Sequence, residues 1–333
     1  MDVALYVKDF VDDPNSSMHQ QVEDVADVAR RAGPWGFMGL YAPQHWVSYP
    51  SVWMQPLPLL ARLAPEAPGL KLITGVALLP MLNPVELAEQ VVTLDHISNG
   101  SFVLGTGIGY REVELEAVGA ARSQRVARFE ESLELMKLLW SGEEVNYEGA
   151  YWQVHGAKMA LRPLQDPHPP IWIAAQSRGA CRRAAFKADS CLLGPQPAWA
   201  DVARMAEYYW EALREKGTPS DGLLGAQRVI AIAKDRDTAL AEARAAAARK
   251  ANMYGGWNMQ ERTTVDLGLS TDRSMEDWAI VGSPQDCAET ISRCYHEQGM
   301  RYLGLGFLNL PRDHQARLEK LQFISEELLP LLP

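Results

Sequence analysis

Several features that would mark a particular class of protein are missing from this chain. The four cysteines form no C-x-x-C pair, and the seven histidines lack the spacing of metal ligands, so we expect no metal site. No apolar run approaches the roughly 18 residues that a membrane-spanning helix needs. The first residues, MDVALYVKDF, lack the basic region and cleavage site of a signal peptide. We therefore expect a cytoplasmic protein that does not associate with membranes.

An excess of basic charge is also missing. The chain has 32 Lys and Arg against 42 Asp and Glu, which gives a net charge of −10. Because neutralising a phosphate backbone requires clustered Lys and Arg, this balance argues against a nucleic-acid partner. In a reducing compartment the cysteines are expected to be small core residues; they are Cys181, Cys191, Cys287 and Cys294.

What the sequence does contain is a repeated alternation of short apolar runs and amphipathic stretches, clearest between Leu72 and Arg111. LITGVALL is typical of a strand buried on both faces, and SFVLGTG is a second such run. Between them, Asn83 followed by Pro84 predicts the start of a helix, and Asn99-Gly100 predicts its end. A strand, a helix and a strand over this length predict a right-handed βαβ unit with parallel strands.

The same alternation runs through the whole chain and predicts an α/β protein with eight core strands. They are predicted at 3–7, 36–42, 72–79, 101–107, 169–175, 189–194, 226–234 and 302–307. Eight strands alternating with helices fit a (β/α)8 TIM barrel as a single domain over residues 1–333. A doubly wound open sheet is the alternative, because periodicity does not distinguish a closed sheet from an open one. We also predict two insertions, a β-hairpin at 144–154 and an excursion or lid at 252–279.

Three stretches with suitable side chains follow predicted strands, where a barrel carries its active site. His45 follows the second strand and is either a general acid/base or a histidine hydrogen-bonded within its loop. GTGIGYRE follows the fourth strand; it is G-x-G-x-G rather than a dinucleotide fingerprint, and its Arg111 could bind an anion. After the fifth strand, Ser177 and Arg178 are either phosphate ligands at a helix N-terminus or an ordinary serine cap and its neighbour.

Longer stretches resemble the bacterial luciferase-like flavin monooxygenase superfamily. They are LDHISNGSFVLGTGIGYREVELEAVG, RFEESLELMKLLWSGEEVNYEGAYW, PLQDPHPPIWIAAQS and GSPQDCAETISRCYHEQGMRYLGLGF, in this order along nearly the whole chain. The resemblance implies a luciferase-like (β/α)8 TIM barrel with insertions. It is weakest between 252 and 279.

The resemblance also implies a set of site residues. His45 lies where the family has a catalytic histidine. The flavin-binding positions that it implies lie on the third strand and after the fifth: Val76 and Ala77, beneath the flavin ring and sometimes joined to a non-proline cis peptide; and Gln176 and Ser177, directly after Ala175. The glycine loop of the fourth strand adds Gly105, Thr106 and Gly107, because its glycines let the backbone approach a flat ligand. Many members have G-R-G where this chain has Gly107-Ile108-Gly109, so Arg111 or Arg178 would have to supply the cation for the phosphate.

The implied function is a flavin-dependent monooxygenase that receives reduced FMN from a separate, transiently bound reductase. It would use molecular oxygen, through a flavin hydroperoxide, to oxygenate a small and largely apolar organic substrate. The alternatives are an oxidoreductase that transfers hydride from a deazaflavin, and a non-catalytic flavin-binding protein. The lack of an obvious basic cluster for the acidic tail of a deazaflavin favours FMN. Barrels of this kind are also expected to form dimers or larger homo-oligomers.

Overall fold

Eight parallel strands close into a barrel in the computed structural model of this protein, which describes residues 1–11, 16–49, 51–218, 220, 222–254 and 274–333. The strands of the described residues are β1 (Asp2–Tyr6), β2 (Gly39–Ala42), β3 (Lys71–Thr74), β4 (Ala77–Leu78), β5 (Phe102–Gly107), β6 (Val145–Glu148), β7 (Gln153–Ala157), β8 (Ile171–Ala175), β9 (Ser190–Leu193), β10 (Leu223–Ile232), β11 (Ile280–Gly282) and β12 (Met300–Phe307). The order around the barrel is β1, β2, β3, β5, β8, β9, β10 and β12. Parallel pairing of β9 with β10 and of β12 with β1 closes the sheet, so the predicted TIM barrel is confirmed and the open sheet is excluded.

Helices connect the strands and cover the outside of the barrel. Within the described residues they are α1 (Met18–Ala32), α2 (Pro56–Leu63), α3 (Pro84–Ile97), α4 (Glu112–Ala117), α5 (Arg125–Trp140), α6 (Arg178–Lys187), α7 (Trp199–Lys216), α8 (Arg236–Tyr254), α9 (Pro284–Gln298) and α10 (His314–Glu327). Asn83 caps α3 as predicted, since its side-chain oxygen accepts hydrogen bonds from the backbone N–H groups of Val85 and Glu86. No helix among the described residues is both long and apolar enough to cross a bilayer.

The barrel is filled by one ring of inward-facing side chains. Seven of the eight barrel strands contribute to this cluster, which consists of Ala4, Tyr41, Ile73, Val103, Trp172, Leu192 and Tyr302. The larger apolar core lies between the strands and the helices, and all four cysteines are buried and reduced there, as predicted. The interior is therefore solid, and the open surface for chemistry is the end of the barrel where the strands lead into loops.

The third predicted strand, 72–79, is wrong as a continuous element. β3 ends at Thr74, the Gly75–Val76 peptide bond is cis, and the chain pairs with β5 again only at β4. The ring of Tyr41 fills the space where a side chain of residue 75 would begin, so glycine is required at this position. The two halves of the predicted run therefore belong to different parts of the barrel, its wall and its mouth.

The two predicted insertions have different outcomes. β6 and β7 form the predicted antiparallel hairpin, shifted towards the C-terminus by up to three residues. Of the predicted excursion at 252–279, residues 255–273 lie outside the described residues. The first three residues of that range end α8, and a 3-10 turn at Met275–Asp277 leads into β11, which extends the edge of β10.

We expect Gly105→Ala to destabilise the fold by roughly 2–4 kcal/mol, because the new methyl group would overlap the backbone carbonyl oxygen of Thr74 on the adjacent strand. Gly179→Ala is the matched control, since nothing lies within 4 Å of its added methyl group and α6 would gain helix propensity. Urea unfolding followed by circular dichroism measures both. Equal effects of the two substitutions would contradict the close packing of β3 and β5.

Candidate active site

His45 lies in the loop after β2, and a buried carboxylate from another part of the chain holds its ring. Nδ1 of His45 is 2.7 Å from Oε1 of Glu114, whose side chain has no exposed area. Glu114 belongs to α4, 69 residues further along the chain. Sequence reasoning missed it, because Glu112, Glu114 and Glu116 look alike in EVELEA and nothing in the sequence marks the one that faces inwards.

The same carboxylate oxygen of Glu114 also fixes the backbone next to His45. It accepts hydrogen bonds from the backbone N–H of Trp46 at 2.9 Å and from Nη1 of Arg111 at 2.9 Å. Arg111 in turn donates to the carbonyl oxygen of Trp46 at 2.8 Å. The sequence-predicted residues His45 and Arg111 are thus brought together around one oxygen atom.

Glu114 is ionised at neutral pH. Burial by itself would raise the pKa of this carboxyl group, but the hydrogen bond and charge of His45, the N–H of Trp46 and the charge of Arg111 together lower the pKa below its ordinary value. A carboxyl group with a lowered pKa stabilises the fold at pH values above its unfolded-state pKa, and this contribution is lost as the pH falls through the folded-state pKa. An ionised carboxylate can only accept hydrogen bonds, so Nδ1 of His45 is the donor.

Two further contacts immobilise the loop that carries His45. The amide of Gln55 donates to the carbonyl oxygen of His45 at 3.0 Å and accepts from the indole N–H of Trp46 at 2.7 Å. The His45 ring meets the ring of Trp53 edge-on at 4.5 Å and that of Tyr110 at 5.6 Å. Backbone, ring nitrogen and ring edge of His45 therefore all have defined partners.

The predicted flavin-ring positions on the third and fourth strands lie side by side next to this cluster. Ala77 of β4 pairs with Thr106 of β5. The cis peptide bond that the resemblance implies is present directly before β4, at Gly75–Val76. A Cβ atom at Gly107 would lie 2.6 Å from Cγ2 of Val76. Packing alone therefore explains the glycines at 105 and 107, because the absence of a side chain lets the neighbouring backbone approach.

The residues after β8 form a second group. Ser177 is the N-cap of α6, where its hydroxyl accepts a hydrogen bond from the N–H of Ala180 at 3.3 Å. The amide nitrogen of Gln176, which follows Ala175 at the end of β8, donates to Oε1 of Gln196 at 3.2 Å. Arg178 is exposed, lies 3.4 Å from Glu211 and stacks on the ring of Tyr208.

Three arginines that sequence reasoning passed over gather near the loop after β5. Arg122, Arg125 and Arg128 recur every third residue, and each donates to a backbone carbonyl group at this end of the barrel. Partial burial, and then the charge of Arg122, lower the pKa of Arg125, although the charge of Glu112 acts the other way. The expectation that the chain has no basic cluster is wrong, because the acidic total hides local grouping.

No group of three or more His, Cys, Asp or Glu side chains that could hold a metal ion occurs in the part of the chain that the structure describes. The chemistry available at the mouth is therefore that of one histidine with a buried carboxylate, an apolar floor, and cationic and N–H donors nearby.

Comparison with known proteins identifies the family to which the chain is similar. The model of the luciferase-like monooxygenase family matches residues 1–302. Over 339 aligned residues, covering 98% of this chain and 96% of the relative, the sequence is 27% identical to y4wF of Sinorhizobium fredii. It is 28% identical to the oxygenase component of the flavin-dependent trigonelline monooxygenase of Acinetobacter baylyi, over 47% of this chain and 44% of that protein.

Solved structures share the fold over essentially the whole chain. The monooxygenase RslO1 of Streptomyces bottropensis superposes with a TM-score of 0.85 at 23% identity, covering 99% of both chains. The oxygenating constituent of 3,6-diketocamphane monooxygenase from Pseudomonas putida, solved with FMN, gives 0.82 at 21% identity and covers 100% of this chain and 99% of its own. An F420-dependent secondary alcohol dehydrogenase gives 0.76 at 16% identity with the same two coverages.

At these identities the solved structures support the fold alone, whereas the family match covers most of the sequence. The chain belongs to the luciferase-like monooxygenase family.

Proposed function

We propose that this protein is the oxygenase of a two-component flavin-dependent monooxygenase. It would receive reduced FMN from a separate reductase and oxygenate a small, largely apolar organic substrate with molecular oxygen. Family membership and the trigonelline monooxygenase relative, itself an oxygenase component, support the reaction class. The observation that carries the proposal is the buried Glu114 carboxylate on Nδ1 of His45, because it prepares a proton-transfer group at the mouth of the barrel.

The residues at the mouth suit the chemistry of FMN. The backbone of Val76 and Ala77 and the adjacent β5 offer an apolar floor for a flat ring. The N-terminus of α6, with Gln176 and Ser177, offers N–H groups and a hydroxyl for a phosphate. Bound reduced FMN would supply the electrons that activate oxygen; the protein supplies position, protons and exclusion of water.

Arg125 is the cation that we assign to the phosphate. Arg111 is engaged with Glu114, and the Arg178 side chain is 75% exposed and pairs with Glu211. Glu130 and Arg183 each lie five residues after the first residue of α5 or α6, and they form a 2.8 Å ion pair. This ion pair joins α5 to α6, and we propose that Arg125, the first residue of α5, reaches a phosphate bound at the N-terminus of α6.

His45 would exchange a proton through Nε2. Because the ionised Glu114 accepts from Nδ1–H, the neutral ring is the tautomer in which Nε2 is a proton acceptor. Glu114 would keep this contact with Nδ1–H when the ring carries a second proton at Nε2. This would let His45 take up a proton during the reaction and return it afterwards.

Apolar side chains around His45 would keep water away from the reacting atoms. Leu78, Met81, Leu115 and Ala120 form a buried cluster with Trp46 and Val76 packed against it. In a site with little water, competing hydrolysis and proton leakage slow down, and the charge on Glu114 acts more strongly on His45.

Hydride transfer from a reduced deazaflavin is the second candidate. The acidic composition of the whole chain argues against this candidate. The arginines Arg122, Arg125 and Arg128 support it, because they would also suit the acidic tail of such a cofactor. The likeness to the F420-dependent alcohol dehydrogenase supports only a shared fold. A carrier that merely stores flavin would need no charged partner for His45, so the Glu114 contact argues against that third reading.

Anaerobic titration with reduced FMN and with reduced deazaflavin distinguishes these candidates. We expect tight binding of reduced FMN, followed by incorporation of an ¹⁸O atom into an apolar test compound when ¹⁸O2 is admitted. Preferential binding of the deazaflavin and indifference to oxygen would refute the monooxygenase proposal. Binding of FMN without oxygenation of any compound in a broad panel would favour the carrier.

We expect His45→Ala to lower the product formed per reduced flavin consumed by about 10²-fold or more, since a positioned acid/base contributes typically that much. Glu114→Gln should lower the same yield less, because the ring keeps a hydrogen-bonding neighbour but loses the charge that stabilises its protonated form. His96→Ala is the control, since His96 binds a carbonyl group on an exposed face of α3. A yield in His45→Ala equal to that of the unmodified protein removes His45 from the mechanism.

We expect Arg125→Met to weaken FMN binding by about 10- to 100-fold, the loss of one charge-assisted contact. Binding of riboflavin, which has no phosphate, should change little. Arg178→Met serves as the matched control and should affect neither ligand by more than a few-fold. Fluorescence titration gives the four dissociation constants, and an equal loss for FMN and riboflavin would show that Arg125 does not read the phosphate.

A further inference from the structure

Arg228, on β10, is a buried cation whose charge is met by backbone carbonyls. Its side chain is 1% exposed, and its guanidinium group donates to the carbonyl oxygens of Gly194 at 3.3 Å, Pro197 at 2.9 Å and Trp278 at 2.6 Å. The group also lies 4.1 Å from the centre of the Trp199 ring. None of the carboxylates in the described residues pairs with it, and its Nε has no hydrogen-bond partner there.

Burial of this guanidinium has a cost, which its hydrogen bonds offset. Burial removes the guanidinium from water and lowers the pKa of Arg228 to about 10. The three carbonyl oxygens that it binds would lose their donor if the guanidinium were removed. Arg228 therefore fixes the backbone segments that carry these carbonyl groups.

The contacts indicate that Arg228 controls the loop after β9. Gly194 and Pro197 are the two ends of this loop, which we call the 194–197 loop, and the carbonyl oxygens of both accept hydrogen bonds from Arg228. Between them, Gln196 accepts the hydrogen bond from the amide of Gln176. A side chain on Gly194 would collide with that same amide nitrogen of Gln176. The 194–197 loop thus contacts Gln176 through Gly194 and Gln196, while Arg228 binds the carbonyl groups at both ends of the loop.

We propose that Arg228 is a positioning residue of the cofactor site, which acts through the 194–197 loop to fix the side-chain amide of Gln176 for the flavin. The inference rests on the proposed function, since it assumes that a flavin binds beside Gln176. Arginine suits this role because its planar guanidinium presents five donors in fixed directions, whereas a lysine has three on a flexible stem and an apolar side chain has none.

The first test replaces Arg228 with Met in the full-length protein. We expect a lower unfolding midpoint, because three carbonyl oxygens lose their donor, together with a dissociation constant for FMN that rises roughly tenfold, as for other residues that support direct ligands. Arg317→Met is the matched control, because Arg317 is equally buried and also binds three carbonyl groups, at the loops after β1 and β12. It should leave the FMN constant within about twofold while lowering the midpoint.

The second test works from the other side of the loop and remains informative if Arg228→Met does not fold. Gly194→Ala should displace only the flexible end of Gln176, so the midpoint stays constant and FMN binding weakens. In a Gln176→Ala background, both substitutions should add little further loss, since their route to the flavin is already removed.

The outcomes separate the inference from the proposed function. Weak or absent FMN binding by the unmodified protein refutes the proposed function. Normal binding by the unmodified protein with an unchanged constant in folded Arg228→Met or in Gly194→Ala refutes only the role of Arg228. A full additional loss in the Gln176→Ala background does the same, because Arg228 would then act by another path.

Discussion

The mouth of this barrel depends on one buried negative charge, the Glu114 carboxylate. A single oxygen of this group binds the ring of His45, the backbone N–H of Trp46 and the guanidinium of Arg111. An ion in such a place is stable only because its partners return more free energy than desolvation removes. Any rearrangement of the loop after β2 would remove His45 and Trp46 from the carboxylate and leave it with Arg111 alone. The position of His45 and the conformation of this loop therefore depend on the same carboxylate.

Arginine side chains that bind carbonyl groups are the second theme of this end of the barrel. Strands that end in long loops leave backbone oxygens without ladder partners, and each must find a donor. Arg128, Arg228 and Arg317 satisfy such oxygens on three sides of the mouth. The planar guanidinium suits this work because it presents several donors in fixed directions. The same residue type can thus stiffen the loops in one place and face an anion in another, as we propose for Arg125.

The local pattern of the sequence and its resemblance to a family predicted different features of this protein. Period and capping signals predicted the eight barrel strands, and α3 begins directly after its predicted cap, Asn83. They erred at Gly75–Val76, where the strand breaks within a continuous apolar run that gives no local sign of the break. The family resemblance pointed to the loops after the strands, and the family match bears out the class of enzyme.

By itself, the sequence determined the alternation of strands and helices, because hydrophobic periodicity and helix caps are local properties. It also singled out His45 and the ends of the strands. Only the β9–β10 pairing in the structure decided between a closed barrel and an open sheet. Only the tertiary structure decided which acid meets His45, that Arg111 lies on that acid, and that Arg122, Arg125 and Arg128 form a group. Which charges pair across 69 residues depends on how the loops fold over the barrel. The local sequence pattern contains no information about contacts between residues so far apart in the chain.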